Sequence, residues 1–134
     1  MGTENTLAGC ARVAPGALVG SSGNRKLSRI GVQLYTVPGQ IYYDSTRKLV
    51  LQGADGVVFI ADSHPGRREE NIDSFRNLQE NLLGQGVDPR TIPLCLQLNK
   101  RDLPDAMPRE GLEGTLNYRG LRCYEASAAT GKGV

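Results

Sequence analysis

Gly56-Val57-Val58-Phe59-Ile60-Ala61 is an unbroken apolar run, rich in β-branched side chains and short enough to be a strand. Such a run suits a strand covered on both faces, as at the centre of a parallel sheet. Downstream the period changes. From about Arg67 to Leu83, Ile72, Phe75, Leu78 and Leu82 recur at helical spacing, with Ser63 or a neighbour as the cap and Gly84 and Gly86 as the stop. Ile92 to Leu98 reads as the next buried strand, Arg109 to Asn117 as a weaker helix, and Leu121 to Ala126 as a last strand. Upstream, Ile30 to Tyr35 alternates like a half-buried edge strand, ends at the turn Val37-Pro38-Gly39, and is followed by a short helix from Tyr42 to Leu51. Strands alternating with helices predict an α/β fold, a mostly parallel sheet with flanking helices, over residues 29–134. Residues 1–28 are rich in Gly, Ala and Ser without either period, and are expected to form a poorly ordered leader.

The chain of 134 residues is long enough for one domain that buries roughly two thirds of its extended surface. No apolar run approaches the ~20 residues of a transmembrane helix, and the first residues lack the apolar core of a signal peptide, so the expected compartment is the cytoplasm. Cys10, Cys95 and Cys123 have no metal-ligand spacing and cannot all pair, which suits a reducing compartment. A formal net charge of +2, without a basic stripe interleaved with aromatics, gives no reason to expect nucleic acid as a partner.

Chemistry enters with Asn99-Lys100-Arg101-Asp102, directly after an apolar strand. A carboxylate at Asp102 can accept hydrogen bonds from the N1 and N2 donors of guanine, a pair that adenine lacks. Asn99 can brace the neighbouring loop, and the aliphatic stem of Lys100 can lie along a base plane. Glu125-Ala126-Ser127-Ala128-Ala129 stands one βα unit later, again after a strand. There Ser127 can tie its loop to Asp102, the Ala128 N–H can meet guanine O6, and the small side chains let a base approach. A solvated polar turn after Leu98 and an ordinary helix start near Ser127 are the competing readings of the two strings taken singly.

Tyr35-Thr36-Val37-Pro38-Gly39-Gln40 closes the earlier strand at the end where open α/β sheets place ligands. This stretch through Arg47-Lys48-Leu49 resembles switch II of the MglA-type Ras-like bacterial small GTPases. The resemblance runs from about Leu27 to Val134 and includes Gly53-Ala54-Asp55-Gly56, Asp62-Ser63, Asn99 to Pro104, and Gly131-Lys132-Gly133-Val134. It implies a GTP-binding polarity or gliding-motility switch, with GTP or GDP and Mg2+ as ligands. By the same resemblance the Gly39 N–H meets the γ-phosphate, Gln40 positions the attacking water, and Asn99, Lys100, Asp102, Ser127, Ala128 and Ala129 form the guanine site. Thr36 stands where most Ras-like proteins have the magnesium-site Asp, so no metal ligand is assigned. A Roadblock-type activator is the implied protein partner.

No stretch fits G-x-x-x-x-G-K-[ST], the loop whose amides and lysine cradle phosphates. The two near misses are Gly131-Lys132, which is followed by glycine, and Gly20 to Lys26, whose lysine does not follow the second glycine. A first strand, phosphate loop and switch I need roughly forty residues before Thr36. The sequence therefore reads as a partial Ras-like fold with its first strand and terminal helix missing, and GTP hydrolysis by this chain is in question. Beside the GTP-binding reading stand a non-catalytic interaction module, which would bind a Roadblock-type partner without nucleotide, and an inert fragment.

Overall fold

The computed structural model describes residues 7–13, 32–38, 44–117 and 119–134. Five strands form one sheet in the order β2-β1-β3-β4-β5: β1 is Leu7–Val13, β2 Val32–Pro38, β3 Gly56–Asp62, β4 Leu94–Asn99 and β5 Arg122–Glu125. The helices are α1 (Asp44–Leu51), α2 (Arg68–Gly84) and α3 (Arg109–Leu116). β3, β4 and β5 run parallel, in the register Val57↔Leu94 to Asp62↔Asn99 and Cys95↔Arg122 to Leu98↔Glu125. β1 is antiparallel to both β2 and β3, so β2 points the same way as the other three. The architecture is the expected mostly parallel sheet with flanking helices, and the Gly56 run is its central strand.

The core lies on one face of the sheet. Val57, Phe59 and Ala61 of β3 and Leu96 and Leu98 of β4 meet Leu51 of α1, Phe75, Leu78 and Leu82 of α2, and Leu112 and Leu116 of α3. All are nearly inaccessible, and the rings of Phe59 and Phe75 pack edge to face at 4.9 Å. Val58, Ile60, Cys95 and Gln97, which point to the other face, are only half-buried. Continuous apolarity had suggested cover on both faces of β3; the three helices supply it on one.

Three further expectations change. Residues 1–28 were expected to lack regular structure, yet Leu7–Val13 forms β1 between β2 and β3, its partners running from Leu7↔Pro38 to Val13↔Val32 and from Ala8↔Phe59 to Ala11↔Gly56. Pairing uses main-chain groups that every residue but proline offers, so a weak side-chain pattern is no bar once two open ladders flank a slot. The remaining residues of that segment lie outside those described. β1 lies antiparallel to both neighbours, within a sheet that is otherwise the parallel one of a partial Ras-like fold. On β2, Leu34, Tyr35 and Thr36 are all exposed although successive strand residues point to opposite faces. The half-buried alternation expected there is thus not found: neither face is covered at this point. Finally, Ser63 does not cap α2. Its buried hydroxyl has no hydrogen-bond partner among the described residues, and α2 begins without a side-chain cap after a 3-10 turn, Pro65–Arg67, on which His64 Nδ1 accepts from the Gly66 N–H at 3.0 Å.

Candidate functional site

Parallel strands in this register end side by side, so Asp62, Asn99 and Glu125 lie along one sheet edge and the loops that follow them meet there. The loop after β4 turns sharply. Lys100 has φ +64°, the left-handed region that costs an L-residue about 1–2 kcal/mol and that persists only where surrounding contacts hold it. Those contacts are present. Asn99 Oδ1 accepts from the Ala128 N–H at 2.9 Å, and the Arg101 N–H donates to the Ala126 carbonyl at 3.1 Å. The Arg101 guanidinium donates to the Met107 carbonyl and pairs with Glu125 at 3.1 Å.

Ser127 Oγ donates to Asp102 Oδ1 at 2.7 Å, joining the loops after β4 and β5. Ser127 is buried, whereas Asp102, Ala128 and Ala129 are exposed. The carboxylate is therefore held from within and open to solvent outside, the state in which it can accept two donors from a planar ligand. The loop after β5 folds back on itself: the Ser127 N–H donates to the Lys132 carbonyl at 2.8 Å. Gly133, at φ +72°, then passes so close to β5 that any Cβ would collide with the Glu125 carbonyl oxygen. A cleft of about 400 Å³ opens beside this turn, lined by Asp102, Ser127, Thr130 and Lys132 among others.

Against known proteins, no family model matches this chain. The "Mutual gliding-motility protein MglA" of Myxococcus xanthus, a Ras-like small GTPase, is 54% identical to it over 101 residues, which is 75% of this chain. The chain is an MglA-type relative of the Ras-like small GTPases. It spans about half the length of MglA, 52% of which the match covers.

In this MglA-type chain, then, Asn99, Asp102, Ser127 and Ala128 come together as one hydrogen-bonded unit, with Ala129 beside them. Two of the expected donors and cations are engaged within the protein: the Ala128 N–H by Asn99, and Lys100 Nζ by Asp62 at 2.9 Å. Thr36 lies towards the carboxyl end of β2, exposed, with β1 and β3 between it and β4. Gly39 and Gln40 lie outside the described residues, as does Tyr42, the expected start of the helix that ends at Leu51. Among the described residues no group of three or more His, Cys, Asp or Glu is placed to hold a metal ion, and no helix is long and apolar enough to cross a membrane.

Sequence reasoning gave no role to two residues that shape this edge. Asp62 is 2% exposed and ends β3. The Ser63 N–H donates to the Asn99 carbonyl, so Ser63 faces β4 and the main-chain groups of Asp62 face the other way, beyond Phe59, where pairing with β1 stops. The buried Asn71 of α2 satisfies both: its Oδ1 accepts from the Asp62 N–H at 3.0 Å and its Nδ2 donates to the Asp62 carbonyl at 2.8 Å. A polar residue on the buried stripe of an amphipathic helix was the available signal.

Proposed function

We propose that this chain binds guanine nucleotides through the loops after β4 and β5. The observation that carries the reading is the 2.7 Å bond from Ser127 Oγ to Asp102 Oδ1, which fixes an exposed carboxylate at the carboxyl end of a parallel sheet. Asp102 accepts from guanine N1 and N2, and Asn99 holds the loop that carries Ala128. The Ala128 N–H reaches guanine O6 by exchanging Asn99 Oδ1 for the base, with the Ala129 N–H beside it. The stem of Lys100 supports the base plane. Each charge-assisted bond to Asp102 contributes about 1.5–3 kcal/mol, so the pair discriminates guanine from adenine by orders of magnitude.

The finer assignments follow from kinship with MglA. By that kinship the ligand would be GTP or GDP with Mg2+, for which no metal ligand is assigned because Thr36 stands where most Ras-like proteins have the magnesium-site Asp; Gly39 would meet the γ-phosphate and Gln40 would orient water. The residues described here supply base recognition, and no catalytic step is derived from them. The cellular role is a polarity or gliding-motility switch in the cytoplasm, engaged by a Roadblock-type activator, with residues 29–134 as the small-GTPase unit. The test is direct binding of fluorescent GDP and GTP with Mg2+, set against adenine nucleotides and against Asp102→Ala. Guanine-selective binding that disappears in Asp102→Ala is expected. Binding that ignores the base or the substitution would overturn the reading, as would no binding.

A further inference from the structure

We infer that Asp62 is a positioning residue for base recognition, acting through Lys100. This rests on the proposed guanine site. Lys100 directly follows β4 in the left-handed conformation, and its ammonium group returns over the end of the neighbouring strand to Asp62 Oδ2 at 2.9 Å. The two ends of that pair differ in environment: the carboxylate is 2% exposed, the lysine side chain 34%. The buried end cannot wander. Asp62 Oδ1 accepts from the His64 N–H at 2.9 Å, and Asn71 grips the main chain of Asp62 at both its N–H and its carbonyl.

A lysine otherwise free to sample many rotamers is thereby held at its tip by a group that is itself held at three points. Its four-carbon stem spans the edge between β3 and β4, immediately beside the loop carrying Asn99 and Asp102. A stem tethered at both ends is a preformed platform for the flat face of a base. Asp62 touches no base in this scheme. It removes the entropy that a mobile lysine would lose on binding, so it sets affinity, while Asp102 sets the choice of base.

The test is a double-mutant cycle on nucleotide affinity with Asp62→Asn, Lys100→Met and the pair together. Asn is isosteric and retains the acceptor for the His64 N–H, so the local main chain stays in place. Asp62→Asn should weaken GDP binding by about fivefold to twentyfold, as expected for a half-exposed ion pair and its ordering. Guanine-over-adenine preference should be unchanged, and the double variant should bind no worse than the weaker single one, because both substitutions remove the same tether. A purely structural role for Asp62 would instead make the two losses multiply. Acetylation of Lys100 by an amine-selective reagent, followed by peptide mass spectrometry, reads the ion pair without nucleotide and should be faster in Asp62→Asn. Unchanged GDP affinity in Asp62→Asn, multiplying losses, or unchanged acetylation each overturns the inference while leaving the guanine site intact. A wild-type chain that binds no GDP overturns the guanine site itself, and the positioning role with it.

Discussion

Replacing Asn71 with alanine should be among the most damaging single changes at the site edge, although Asn71 touches no expected ligand. The residue is 1% exposed and serves as a surrogate strand partner where β1 falls short of Asp62. Truncation strands two buried main-chain groups, the Asp62 N–H and carbonyl, now bonded at 3.0 and 2.8 Å. Each unsatisfied group costs about 1–3 kcal/mol, and water entering the space left by the amide recovers part of it, so a net loss of about 3 kcal/mol is expected. Against a typical domain stability of about 5–15 kcal/mol this is a large share. With a urea dependence of about 1.5 kcal/mol per molar, the unfolding midpoint followed by circular dichroism should fall by about 2 M at unchanged slope. Asn71→Asp keeps the acceptor for the N–H, loses the donor to the carbonyl and sets a second carboxylate close to Asp62. It should be at least as damaging at neutral pH, and less so when acid protonates the new carboxyl. A midpoint shift below about 0.5 M for Asn71→Ala would refute the accounting, since it would mean that the two Asp62 groups are satisfied without the side chain.

Other outcomes follow from packing and charge. Phe59→Ala empties the centre of the core against Phe75 and should cost about 3–5 kcal/mol in denaturant unfolding, whereas Leu34→Ala, at a side chain 67% exposed, should stay within about 0.5 kcal/mol. Burial, and then the Glu113 carboxylate beside it, push the Cys123 thiol up from near 9 to about 11. The folded state therefore keeps a proton that the unfolded chain gives up: this contribution is complete below about pH 9 and is lost as pH rises towards 11. Urea midpoints measured across that window should fall less steeply in Cys123→Ala than in the wild type; equal slopes would assign the effect elsewhere. Arg101→Ala removes the contacts to the Met107 carbonyl and to Glu125, so a broad-specificity protease such as proteinase K should cut more readily between residues 102 and 108, with a stability loss of only about 1 kcal/mol because Glu125 is exposed.

The residues that sequence made legible are those whose meaning is local. Gly56 to Ala61 announced a central strand because apolarity and β-branching in six consecutive residues admit little else. Asn99, Asp102 and Ser127 stood out because each follows a strand closely, and parallel strands in register bring such loops to one edge whatever lies between. Asp62 and Asn71 were hidden for the opposite reason. An aspartate after an apolar strand and an asparagine in a helix are each ordinary, and their bond joins elements nine residues apart through a ladder whose end had to be seen. The helical period did contain a trace: Asn71, Ser74 and Asn81 share the buried stripe of α2 with Phe75, Leu78 and Leu82, while Ile72 is only partly buried against the core. β1 was illegible altogether, because its place depends on its neighbours' unpaired main chain and not on its own side-chain pattern.

That strand also bears on the order of events in folding. Successive contacts among β3, α2, β4, α3 and β5 close short stretches of chain, whereas Ala8 finds Phe59 about 50 residues away. Long closures are entropically late, so the parallel half should assemble first and β1 should dock onto it afterwards. Reversal follows the same path. In amide hydrogen exchange the main-chain groups of Leu7–Val13 should open in a subglobal step, together with β2, well before those of β4, and the sheet should part along the antiparallel ladder between β1 and β3.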